Sequence, residues 1–82
     1  MQKLSTETKL SGADVIQRAV AFFGPSGVGL KVTEQTDEGV SFEGGGGGVA
    51  IEIFPGDKGK TNVEISSREW EFQSQQFLEK IR

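Results

Sequence analysis

From residue 28 onward the apolar residues fall on every second position. Val28, Leu30 and Val32 share one parity in VGLKVTEQ, Val40 and Phe42 in GVSFE, Val49, Ile51 and Ile53 in VAIEIF, and Val63 and Ile65 in TNVEIS. Side chains alternate between the two faces of a strand, so each run predicts a strand with one apolar and one polar face. The breaks TDEG, GGGGG and PGDKGK have turn composition. Four such strands in succession predict an antiparallel meander covered on one face. Ahead of them the period changes. In SGADVIQRAVAFFG, Val15, Ile16, Ala19, Phe22 and Phe23 recur at helical spacing and form one apolar stripe. Ser11 stands where an N-cap belongs, with Asp14 three residues on, close to a capping box. Gly24 and Pro25 end this helix, with Gly24 expected in the left-handed cap conformation.

The two ends of the chain complete the pattern. Lys3 to Lys9 alternate weakly and are rich in Thr, which predicts a short edge strand. SSREWEFQSQQFLEKIR reads as a helix capped by Ser66 or Ser67, with Glu69 and Glu71 in its first turn and Lys80 and Arg82 in its last. Trp70, Ser74, Phe77, Leu78 and Ile81 fall on one side of it, and Phe72 turns outward. The expected fold class is α+β: one domain over residues 1–82, a two-layer sandwich in the order β-α-β-β-β-β-α, with the meander covered on one face by two helices. In topology this resembles one repeat of the TATA-binding protein and, in longer form, the helix-grip proteins that bind lipids and hormones. No residue motif of either family is present, and a shared fold does not carry function.

Composition narrows the chemistry. The 82 residues include no Cys, His or Tyr. That removes disulfides, thiolate metal sites and the commonest general base and metal ligand. No nucleophile–base spacing is recognisable among the Ser and Lys residues, so no catalytic, cofactor or metal residue is assigned. A paired-carboxylate enzyme is the least favoured function class. Net charge is −3 and the cations are scattered, which argues against nucleic acid as a partner. No apolar run reaches membrane-spanning length and the N-terminus lacks a signal-peptide core. A soluble, cytoplasmic protein is expected.

Two glycine features invite a ligand. GPSGVGLK, residues 24–31, matches the spacing of a Walker A loop at Gly24 and Gly29 and resembles the nucleotide loop of guanylate kinases. It then departs: Leu30 takes the Lys position and Lys31 that of the magnesium-binding Ser or Thr. The loop also follows a helix and opens a strand, the reverse of the phosphate-binding order. Its expected role is an αβ connection without nucleotide. The run Gly44, Gly45, Gly46, Gly47 and Gly48 has three readings: a flexible hairpin loop, strand whose missing side chains admit a close neighbour, or an anion-binding nest.

The polar face of the predicted sheet carries Lys31, Thr33, Ser41, Glu43, Ala50, Glu52, Phe54, Asn62, Glu64 and Ser66. Pairing residue 53 with 63 sets Glu52 opposite Glu64, with Lys31 or Arg68 expected nearby to compensate. Glu43, Glu52 and Glu64 form a minor candidate for a hard cation. The preferred function is a non-enzymatic protein–protein interaction module, most simply a homodimer, with Phe54, Phe72 and Gly44 to Gly48 as contact candidates. The alternative is a carrier of a small apolar ligand in a cleft near Phe22, Phe23, Trp70 and Phe77.

Overall fold

The computed structural model describes residues 2–82. The chain runs β1 (Gln2–Thr8), α1 (Gly12–Phe23), β2 (Lys31–Thr36), β3 (Gly39–Gly44), β4 (Gly47–Pro55), β5 (Thr61–Arg68) and α2 (Glu71–Ile81), with a short 3₁₀ turn, Asp57–Gly59, between β4 and β5. All four ladders are antiparallel, and the sheet order is β1-β5-β4-β3-β2. Strands β2 to β5 are the meander, and β1 joins its far side against β5.

Alternation sorts the side chains as the sequence predicts. Val40, Phe42, Val49, Ile51, Val63 and Ile65 are buried on one face. Against them pack Val15, Ile16, Ala19 and Phe23 of α1 and Phe77, Leu78 and Ile81 of α2, in one hydrophobic cluster. Helix α1 lies over β3 and β4, α2 over β1 and β5, and the helices touch each other. Strand β2 lies outside this cover and is exposed along most of its length. Ser11 caps α1 as expected, accepting a hydrogen bond from the Asp14 amide at 3.2 Å. Thr8 ties β1 to α2: its buried hydroxyl donates to the Ile81 carbonyl and accepts from the Leu10 amide.

Four local expectations are corrected. Val28 and Leu30 precede β2, which begins at Lys31; Leu30 is nonetheless buried. Strand β2 carries a bulge between Val32 and Glu34 that breaks its register with β3. Gly24 is extended (φ −71°, ψ −171°) and not left-handed. A side chain there would place Cβ 2.4 Å from the Val20 carbonyl, so close approach is what requires glycine. Finally, Ser66 and Ser67 are strand and do not cap α2. They pair with Lys3 and Gln2 on one side and with Ala50 and Val49 on the other. Two full ladders outweigh one capping bond, and α2 starts after Trp70 without a side-chain cap. Among the described residues no helix is long and apolar enough to cross a membrane.

Candidate functional site

The glycine run forms the β3–β4 hairpin and part of both its strands. Gly44 pairs with Gly47, and Gly45 (φ 59°) and Gly46 (φ 82°) make the two-residue turn between them. Positive φ at both central residues is the requirement of a type I′ hairpin turn, whose twist matches that of the strands. Trp70 covers this turn. Its Nε1 donates to the Gly44 carbonyl at 2.9 Å, and a Cβ on Gly45 would lie 2.7 Å from its Cζ2. On the other side, Gly47 meets the chain where it leaves β5. A Cβ there would lie 2.0 Å from the Arg68 oxygen and 2.7 Å from the Glu69 Cβ. Glu69 itself turns the chain through a left-handed conformation, φ 72°. Strand and tight turn therefore replace the flexible loop, and the turn's near neighbours are the indole and the β5–α2 corner.

Trp70 is consequently not in the aromatic cluster. Phe22, Phe23 and Phe77 pack edge-on or tilted against one another, and Phe23 also meets Phe42, at ring-centroid distances of 4.9–5.6 Å. Phe23 and Phe77 are buried, whereas Phe22 is partly exposed beneath the Lys80 ammonium, 5.2 Å from its centroid. Phe23 belongs to the packed core, while Phe22 and Phe77 also line a shallow opening of about 290 Å³ with Lys80 and Ile81. The larger opening between helix and sheet lies elsewhere, where β2 extends past α1. This open cleft of about 540 Å³ is lined by Ala13, Ile16, Gln17, Val20, Gln35, Thr36 and Asp37.

In GPSGVGLK the backbone amides turn back onto the end of α1. Gly27 and Gly29 donate to the Gly24 carbonyl, Val28 to Phe22 and Leu30 to Phe23, at 2.8–3.0 Å. These bonds satisfy carbonyls that a helix C-terminus leaves without partners. The amides that would cradle a phosphate are thus committed to the helix, beside its partially negative end.

The open face of the sheet carries the polar residues. Glu52 stands opposite Glu64, as the predicted register requires, but neither Lys31 nor Arg68 adjoins them. Lys31 faces Glu43 and Arg68 faces Gly48, toward the other end of the sheet. Lys3, which pairs with Ser66, is the cation diagonal to Glu64. Glu43 is separated from the Glu52–Glu64 pair, and no group of three acidic side chains that could hold a metal ion occurs among the described residues. Phe54 (42% exposed) lies on this face beside Asn62. Phe72 (66% exposed) lies on α2, in the helical layer. The two exposed aromatics belong to opposite layers and do not form one patch.

Sequence reading singled out no functional residue in β1, yet its exposed side carries a symmetric charge pattern. Lys3, Ser5 and Glu7 share the open face, with opposite charges two positions either side of Ser5. That spacing is visible in KLSTE once the segment is taken as a strand. Glu7 accepts a loose ion pair from Lys60 at 3.5 Å. Comparisons with protein-family models, curated proteins and solved structures find no match to this chain.

Proposed function

We propose that this chain is a non-enzymatic protein–protein interaction module that associates with a second copy of itself. The observation that supports the reading best is the open edge at β1. Seven residues pair with β5 in unbroken register, with no bulge and no proline. Regular edges present a row of unpaired amides and carbonyls that accept another strand, and proteins ordinarily blunt them. The opposite edge, β2, is blunted by its bulge. The reading includes no cofactor, nucleotide, nucleic acid or membrane, and a cytoplasmic setting. Glu7, Glu43, Glu52 and Glu64 on the open face favour leaving nucleic acid out. We take the likeness to a TATA-binding-protein repeat and to helix-grip proteins as one of topology, which carries no activity.

Light scattering coupled to size exclusion tests the reading. The expected result is a mass rising toward twice 8.8 kDa with concentration. A mass that stays at one chain up to about 1 mM overturns it, because any remaining self-association would then be weaker than about 4 kcal/mol.

A second reading, a binder of small apolar ligands, is favoured by the cleft between α1 and β2, where Ile16 and Val20 form the apolar wall. Native mass spectrometry of the purified protein tests it, and a co-purifying small molecule is the result that would put it first.

A further inference from the structure

The geometry points to a specific self-contact: two copies pair β1 with β1 antiparallel about a two-fold axis at Ser5, continuing the sheet from one chain into the next. This rests on the homotypic reading above and fixes the surface and register that it leaves open.

Strand pairing preserves the two faces of a sheet, so residues that meet must point the same way. In a symmetric antiparallel pair, the two-fold must then pass through a residue and not between two. Centred on Ser5, Lys3 meets Glu7 of the partner copy, and Glu7 meets its Lys3. Both are exposed on the open face. Opposite charges placed directly across a strand pair are favourable. On the other face Leu4 meets Thr6 of the second copy. Both are half-buried at the margin of the core, and Leu4 packs against the hydrophobic cluster. The apolar floor under the sheet therefore continues across the contact.

Neighbouring registers lose this match. Centred on Thr6, Lys3 would face Lys9, a like-charge pair. Centred on Leu4, Lys3 would face Ser5, leaving both charges without a counterpart across the contact. The lysine that would guard a solitary edge becomes an attractive contact in only one of these three alignments. Strand β2 offers no equivalent, because the bulge at residues 32–34 interrupts the straight register that a second strand needs.

A pairing of seven residues is a small interface, so a dissociation constant on the order of 10–100 μM is expected. The chain has no cysteine, which makes a single introduced thiol a clean reporter. Residues directly opposite stand about 4.5–5.5 Å apart in Cα, within disulfide reach. Ser5→Cys is therefore expected to cross-link across the two-fold under mild oxidation. Glu7→Cys is not, because the two copies of residue 7 lie four positions apart, about 14 Å.

Charge reversal gives the second arm. Lys3→Glu and Glu7→Lys each turn two attractive pairs into repulsive ones, and each is expected to weaken the dimer about tenfold or more. Mixing these two variants restores every pair in a heterodimer and is expected to recover wild-type association. Analytical ultracentrifugation at low salt reads both effects. A dimeric wild type whose Ser5→Cys variant stays unlinked, or whose charge variants associate as well as wild type, overturns this contact and leaves the homotypic reading standing. A wild type monomeric at every concentration overturns both.

Discussion

At the scale of single residues, the glycine run separates into positions with different reasons for being glycine. Gly46 needs glycine for its backbone, since φ is 82° and open space surrounds it. Gly47 needs glycine because the Arg68 carbonyl occupies the place of a side chain. The costs of substitution should differ accordingly. Gly46→Ala is expected to cost about 1 kcal/mol, the ordinary strain of a left-handed alanine. Gly47→Ala must move a backbone carbonyl in the β5–α2 corner, and is expected to cost about 3 kcal/mol or more. Urea denaturation of the two variants checks the ranking, and equal midpoints would contradict it. Trp70→Phe removes the bond to the Gly44 carbonyl and part of the cover over the turn, at an expected cost of about 1–2 kcal/mol. As the chain has one tryptophan, its emission reports this corner alone.

At the scale of elements, the two helices differ in how they are started. Helix α1 has a side-chain cap, and Ser11→Ala is expected to cost about 1 kcal/mol in thermal or urea unfolding. Helix α2 begins at a tight turn through Glu69, steadied by the Glu69 amide donating to the Glu71 carboxylate two residues on at 3.2 Å. Its outward Phe72 is free of the core, and Phe72→Ser is expected to change stability by no more than about 0.5 kcal/mol in the same assays. The strands and α1 were legible because burial on one face imposes a period, and the periods of Val, Ile and Phe are unambiguous. The start of α2 was not. Ser66 and Ser67 are polar residues that suit a cap as well as a strand, and only the partners on both sides of β5 decide between them. The turn at Gly45 and Gly46 was obscured in the same way. Five identical residues carry no phase, so the register of the hairpin depends on Trp70 and Arg68, distant in sequence. The charge match along β1 was hidden for a different reason: an edge strand is expected there, but only its unbroken register with β5, set against the bulged β2 at the other edge, gives the spacing of Lys3 and Glu7 a meaning.

At the scale of the whole molecule, the proposed pairing would weld two sheets into one, and electrostatics would set its strength. Sedimentation at rising salt is expected to show the dimer loosening between about 50 mM and 500 mM, as screening removes the contribution of Lys3 and Glu7. Unchanged association across that range would mean that those charges do not carry the contact. The sheet order also has a temporal side. Hairpins β2–β3 and β3–β4 close through short turns, but β1 pairs only with β5, so Leu4 must wait for Ile65. Contacts so far apart in sequence form slowly, because the loop between them must be closed first. During synthesis β1 leaves the ribosome well before its partner exists, and β5 then zips against β1 and β4 together. Commitment to the native state falls to the last strand made. A fragment ending at residue 60 is expected to lack a cooperative melting transition by circular dichroism, while the full chain shows one.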